Sequence, residues 1–178
     1  GSVEPADKRT LLGLDVSGSM ASGNVAGSPL RPYEAEGAMA MVAMRTEPEV
    51  YPMAFSGGFV PLPLSAQQRL DDVLRVMHGM PFERTDCAVP MQWAARNKVP
   101  VDTFVIYTDN ETWAGTVHPF QALRRYRDIM GIPSRLVVVG MTSTGFSIAD
   151  PSDAGMLDVV GFDTAAPNLM AAFSRGEL

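Results

Sequence analysis

The sequence predicts an α/β fold, with a mostly parallel central sheet and helices on both faces. Two strand-length runs, 101–108 (VDTFVIYT) and 134–140 (SRLVVVG), are apolar without regular alternation, which is typical of strands buried on both faces. Such runs alternate with segments of helical pattern along the chain, as they do where crossover helices join parallel strands. The length of 178 residues suits one domain.

The first elements follow from composition. Residues 10–16 contain an apolar run and are predicted to form a buried strand. Residues 33–46 are rich in Ala and Met with few helix breakers, which favours a helix. Residues 49–55 are predicted to form the second strand.

A hairpin is predicted after the second strand. Ser56-Gly57-Gly58 is a tight-turn signal, so a third strand at 59–62 should add one antiparallel edge strand. A helix over 65–77 has a candidate N-cap at Ser65 and apolar residues on one face. Another helix is predicted over 87–97.

The second half continues the alternation. Pro119 is a favourable first residue for a helix over 119–130, which lies between the strands 101–108 and 134–140. The last strand is predicted at 156–162 and a closing helix at 165–173.

Composition excludes several classes of function. Twenty acidic residues against 14 basic ones give a net charge of −6, which argues against a general nucleic-acid binder. A single cysteine excludes an internal disulfide and suits a reducing compartment, so we expect a cytoplasmic location. No apolar run reaches the roughly 20 residues of a membrane span, so no membrane partner is expected. Gly1-Ser2 resembles a cleavage remnant, so we expect residues 1–9 to be a lead-in and 10–178 a domain cut from a longer protein.

Three polar segments should meet at one edge of this sheet. Asp15-x-Ser17-x-Ser19 follows the first strand, Thr85-Asp86 precedes a helix, and Thr108–Thr112 follows the strand 101–108. Ligands of open α/β sheets bind beyond the carboxyl ends of the strands, where the strand order reverses. The donors are all oxygen atoms, which suit Mg²⁺, Mn²⁺ or Ca²⁺ and disfavour zinc. Neutral hydroxyl ligands would leave the cation electrophilic, so a carboxylate from a partner could complete its shell.

Asp15, Ser17 and Ser19, followed by Thr85 and Asp109, resemble the metal-ion-dependent adhesion site of von Willebrand factor A domains. A more specific resemblance, to the A domain of the Ro 60 kDa autoantigen family, rests on seven further segments. Gly18 stands where animal members carry Ala, so the bacterial branch of that family is the closer likeness. The seven segments are Thr108–Thr112, Val117–Pro119, Gly140–Ser143, Gly145-Phe146, Ile148–Pro151, Gly155–Asp158 and Gly161–Asp163.

The resemblance implies a Rossmann-like fold and a non-catalytic module that binds a protein ligand through an Asp or Glu carboxylate. Ser17, Ser19 and Thr85 would contact the metal, with Mg²⁺ expected first, while Asp15 and Asp109 would act through water. A ring of helical repeats in the parent protein, absent from this chain, would bind Y RNA and misfolded RNA. The chain departs from animal members at 81–84 (PFER), where they have a Gly pair, so access to the metal would differ.

Two other functions stay open at this point. Asp15 could be the nucleophile of a metal-dependent phosphohydrolase, although that chemistry favours a second carboxylate where Ser17 stands. A basic cluster could be either a solvated helix face or an auxiliary RNA contact. Its members are Arg124, Arg125, Arg127 and Arg135. We expect His118, at a helix start, to have a positioning or an exposed role and not to bind metal, and Cys87 to be a buried, inert thiol.

Overall fold

The computed structural model describes residues 9–15, 32–47, 49–55, 59–61, 69, 87–108, 117–140, 152–160 and 175. The predicted helices at 65–77 and 165–173 lie outside these residues, apart from Arg69. Six strands and three helices lie within them. In chain order they are β1 (Arg9–Asp15), α1 (Pro32–Thr46), β2 (Glu49–Phe55), β3 (Phe59–Pro61), α2 (Val89–Arg96), β4 (Thr103–Thr108), α3 (Pro119–Met130), β5 (Arg135–Gly140) and β6 (Met156–Val160).

The strands form one open sheet in the order β3-β2-β1-β4-β5-β6. β1 pairs in parallel with both β2 and β4, and β5 and β6 continue the parallel sheet on the far side of β4. β3 is antiparallel to β2, with Phe59 opposite Phe55. The predicted α/β fold with a mostly parallel sheet is confirmed. Because the chain proceeds outward from β1 on one side and from β4 on the other, the strand order reverses between these two strands.

Period-two alternation sorts the strand side chains onto two buried faces. On one face, Leu11, Phe104 and Leu136 pack in a core cluster with residues of α2 and α3. Their neighbours along the same strands, such as Leu12 and Val105, point to the other face and are buried as well. Burial on both faces explains why these strands read as continuous apolar runs rather than as alternating ones.

Gly13 allows α2 to pack directly on the centre of the sheet. A Cβ atom at this position would lie 2.9 Å from Ile106 Cδ1 and 3.1 Å from Pro90 Cγ. Pro90, in the first turn of α2, is buried, so only a residue without a side chain leaves it room. Cys87 is 1% exposed just before α2, which confirms the buried thiol.

Helix α3 has a well-defined start and end. Nδ1 of His118 accepts a hydrogen bond from the Phe120 backbone N–H (3.2 Å), and Gln121 Oε1 accepts one from the His118 N–H (3.1 Å). This reciprocal cap satisfies N–H groups that have no partner within the helix, so the predicted positioning role of His118 is confirmed. Gly131 ends the helix in the left-handed conformation with φ of 67°.

Polar contacts stabilise the amino-terminal ends of the strands, opposite the predicted site. The Asp102 carboxylate accepts from Nε and Nη2 of Arg9 at 2.8 and 3.0 Å, and also from the Arg9 backbone N–H. This hydrogen bonding raises the pKa of Arg9. β4 begins at Thr103, two residues later than the predicted start at Val101, although the Asp102 backbone still bonds to the Arg9 carbonyl and the Arg135 N–H.

Arg127 forms a second set of polar contacts on the same side of the molecule. Its Nη1 lies 2.6 Å from Asp153 Oδ2, and its Nε donates to the Ser134 carbonyl at 2.8 Å. A Cβ on Gly155 would lie 2.4 Å from Arg127 Nη2, so this glycine makes room for the guanidinium. Arg127 thereby ties α3 to the segments that lead into β5 and β6.

Candidate metal centre

Asp15 and Thr108 form the polar centre of the described part of the predicted site. Each is the last residue of its strand, and both are 0% exposed. Thr108 Oγ1 donates a hydrogen bond to Asp15 Oδ2 over 2.6 Å. That length is typical of a hydroxyl donating to an ionised carboxylate, a stronger bond than one between neutral groups.

Strand register explains why these two side chains meet. Leu14 pairs with Tyr107 in the parallel β1–β4 ladder, and the next residue of each strand is Asp15 and Thr108. Alternation places both side chains on the face that also carries Gly13 and Ile106, which is the face covered by α2. The pair therefore lies at the carboxyl edge of the sheet, between the two strands where the order reverses.

The environment of Asp15 suits a carboxylate that faces a cation. Phe55, its register partner in β2, is 1% exposed, and the Thr108 hydroxyl is one of the groups that contact the Asp15 carboxylate. Withdrawing an ionised carboxylate from water costs several kcal/mol unless hydrogen bonds or a counter-charge compensate. A divalent cation at this edge would supply that counter-charge, and oxygen donors are the type that Mg²⁺ and Mn²⁺ prefer.

Four of the five predicted ligands lie outside the described residues. Ser17 and Ser19 follow Asp15 by two and four positions, Asp109 directly follows Thr108, and Thr85 precedes the buried Cys87 by two positions. Within the described ranges, no three His, Cys, Asp or Glu side chains cluster in a way that could hold a metal. Asp15 is thus the one predicted ligand whose surroundings can be described, and the full set stays a prediction.

Thr108 is a site residue that the sequence did not single out. The sequence places Thr108 only within a polar segment. Nothing local distinguishes a strand-ending threonine that contacts a carboxylate from a strand-ending threonine that does not. The available signal was alternation. In β1 and β4 the residues at 11, 13 and 15 and at 104, 106 and 108 share one face, which places the last member of each series side by side.

The basic cluster does not form one continuous face. Arg127 is occupied by Asp153 and the Ser134 carbonyl, so its guanidinium is held within the fold. Arg124 lies over the Phe120 ring, 5.0 Å from the ring centroid, and is exposed like Arg125. Arg135 begins β5 and is half-buried. These positions weaken the interpretation of the cluster as a phosphate-binding surface.

An open, doubly wound sheet with a buried Asp-Thr pair at the order reversal defines an α/β protein of the von Willebrand factor A class. The profile of the Ro60 vWA domain matches residues 9–174, and the chain belongs to this family. It is 54% identical over 179 residues to RNA-binding protein RO60 of Deinococcus radiodurans and 44% identical over 175 residues to RNA-binding protein RO60 of Caenorhabditis elegans. These matches span 100% and 98% of the chain but 34% and 27% of the relatives, so the chain covers between about a quarter and a third of their length.

Solved structures agree with the family. The crystal structure of the D. radiodurans RO (RSR) protein has a TM-score of 0.91 at 54% identity, over 99% of this chain and 36% of that one. The predicted likeness to the bacterial branch is therefore confirmed. Proximal thread matrix protein 1 from the mussel byssus, with a zinc-occupied MIDAS motif, has a TM-score of 0.55 at 14% identity, over 98% of this chain and 47% of that one. Manganese-loaded Plasmodium vivax TRAP protein has a TM-score of 0.55 at 15% identity, over 95% and 72%.

Among the described helices, none has the length and apolar character needed to cross a bilayer.

Proposed function

We propose that this domain is a metal-dependent protein-binding module within a Ro-type RNA-binding protein. The metal would be held by the hydroxyls of Ser17, Ser19 and Thr85, with Asp15 and Asp109 acting through bound water. Mg²⁺ is the cation we expect in cells, and Mn²⁺ or Ca²⁺ could replace it. The observation that carries the proposal is the buried Asp15 carboxylate, oriented by Thr108 at the order reversal of the sheet.

The chemistry of these donors supports binding rather than catalysis. Three neutral hydroxyls leave most of the charge of a divalent cation uncompensated, so a carboxylate from another protein becomes a favourable additional ligand. A phosphohydrolase with Asp15 as its nucleophile would instead favour a second carboxylate two residues further on, where this chain has Ser17.

RNA enters the proposal through the parent protein. The relatives are named RNA-binding proteins, and they are about three times as long as this chain. We propose that residues 10–178 form the A domain of such a protein and that its remaining part binds Y RNA and misfolded RNA. The net charge of −6 and the occupied Arg127 argue against a direct RNA contact by this domain itself.

Calorimetric titration of the purified chain with MnCl₂ and MgCl₂ tests the metal site. We expect one site per chain, which is lost in Ser17→Ala and in Asp15→Asn. Asp15→Asn keeps the size of the side chain, so unchanged circular dichroism and melting would show that the loss reflects the site and not the fold. Full metal binding by both variants would overturn the proposed ligand set.

A second experiment separates binding from catalysis. With metal bound, addition of a short peptide containing one Glu should produce metal-dependent binding that EDTA abolishes and that the matched Gln peptide lacks. Equal binding of the two peptides would contradict the proposal that a partner carboxylate binds the metal. Hydrolysis of p-nitrophenyl phosphate that is lost in Asp15→Asn would favour the hydrolase instead.

A further inference from the structure

A cleft between α2 and α3 lies on the outer side of the helical layer. Its volume is about 390 Å³, within the size range of ligand-binding pockets. Its apolar lining comes from Met91 and Ala95 on α2 and from Ala122 and Ile129 on α3. Ile129 is 53% exposed, and Tyr51 is the only other large hydrophobic residue that is exposed among those the structure describes. The cleft therefore presents apolar surface that the described fold leaves uncovered.

The rim of the cleft is basic, although the chain as a whole is acidic. Arg96 and Lys98 line it from the end of α2, and Arg125 lines it from α3. All three are exposed, and across the described ranges no ion pair engages any of them. Three cations around an apolar floor, on a chain of net charge −6, form a surface that complements an acidic partner.

The backbone at Lys98 is unusual for a lysine. Lys98 has φ of 55°, in the left-handed region where glycine is favoured. Its N–H bonds to the Ala95 carbonyl, and the Val99 N–H bonds to the Ala94 carbonyl, which is the pattern of a Schellman motif. Glycine is the usual residue at this point of the motif, so the chain carries a cation here at a conformational cost. Strain of this kind concentrates where a side chain serves binding.

We propose that the α2/α3 cleft binds an acidic amphipathic helix of a partner protein. Leu-type side chains of that helix would cover Ile129 and the alanines of the floor, and its flanking Glu or Asp side chains would face Arg96, Lys98 and Arg125. A single-stranded RNA fits less well, because its bases require aromatic stacking partners and none is among the described residues that line the cleft. Neither Asp15 nor Thr108 lines this surface, and the proposed contacts require no bound cation.

Three peptides of about 15 residues test the proposal. They share leucines at helical spacing and differ only in their flanking residues, which are Glu, Gln or Lys. Fluorescence anisotropy at low salt should show the Glu peptide binding about tenfold more tightly than the Gln peptide, and the Lys peptide more weakly still. Equal affinities, or tighter binding of an oligo(U) RNA than of the Glu peptide, would overturn the proposal.

Variants locate the binding surface. Arg125→Gln and Lys98→Gly should each weaken the Glu peptide several-fold, and Ile129→Asp should abolish its binding. Lys98→Gly is the sharpest test, because glycine adopts the left-handed conformation without strain and the fold should keep its full stability. Arg45→Gln, on exposed α1 surface, is the matched control and should bind as the unaltered chain does. Unchanged affinity in Lys98→Gly and Arg125→Gln would show that the peptide binds elsewhere.

Discussion

Thr108 donates its hydroxyl to the Asp15 carboxylate over 2.6 Å, and this bond joins the carboxyl ends of the two central strands. The two residues are 93 positions apart in sequence and adjacent in the sheet. The hydroxyl satisfies one oxygen of a buried carboxylate and restrains the orientation of the group. Thr108 is therefore a positioning residue for the proposed metal site.

Thr108→Val should destabilise the fold and weaken metal binding together. Leaving a buried acceptor without its hydrogen bond costs about 1–3 kcal/mol. Urea unfolding would measure the stability, and titration with MnCl₂ would measure the affinity. Thr108→Ser keeps the hydroxyl and should retain most of both quantities. Loss of both in Thr108→Ser as well would show that the methyl group, and not the hydroxyl, is what the site requires.

Tyr126→Phe tests a buried hydroxyl at the opposite edge of the sheet. The Tyr126 hydroxyl donates to the Val99 carbonyl and accepts from the Val101 N–H, both at 2.7 Å. Burial raises the pKa of this phenol, so it stays neutral at ordinary pH. The variant leaves two backbone groups without this partner, which should cost about 1–3 kcal/mol in the free energy of unfolding.

Tyr51→Phe is the matched control for that measurement. Tyr51 is 37% exposed, and its hydroxyl lies 3.4 Å from Glu49 Oε2. Its removal should change the stability by less than about 0.5 kcal/mol. A similar loss in the two variants would mean that the Tyr126 bonds contribute no more than an exposed contact does.

Gly13→Ala should destabilise the fold through crowding against α2. The added methyl group would lie 2.9 Å from Ile106 Cδ1 and 3.1 Å from Pro90 Cγ, and overpacking of this kind costs about 1–3 kcal/mol. Ile106→Val removes the Cδ1 atom. In the double variant the loss should therefore be smaller than the sum of the single losses, as measured by urea unfolding. Additive losses would place the strain at Pro90 alone.

The Arg127–Asp153 pair should make stability depend on pH in the acid range. Hydrogen bonding to Arg127 lowers the pKa of Asp153 below its ordinary value of 3.8. Because the folded state holds this carboxylate ionised, its contribution is complete above about pH 4 and is lost as the pH falls toward the lowered pKa. Melting temperatures of the chain and of Asp153→Asn should differ by a constant amount at neutral pH and converge below about pH 4. A difference that persists undiminished in acid would contradict the assignment.

Much of the fold was predictable because buried elements have a recognisable local pattern of apolar residues. The runs that became β4 and β5 are apolar throughout because both of their faces are covered, and Pro119 marks the first residue of α3 as expected. The ends of elements were less predictable. β4 begins two residues later than its apolar run, and Asp102 just before it binds Arg9, a partner 93 residues away that no local pattern indicates.

The sequence by itself determined the class of the protein and the chemistry of its candidate site. Oxygen-bearing residues directly after two apolar runs are enough to predict a cation site at a sheet edge, since strand ends can be read from hydropathy and donor atoms from residue type. Only the tertiary structure decided which groups act together. In the folded chain Thr108 donates a hydrogen bond to Asp15, and Arg127 forms an ion pair with Asp153. Arg125 and Lys98 line the same cleft. These outcomes depend on strand register and helix packing, which bring together residues too far apart in the chain for any local pattern to connect.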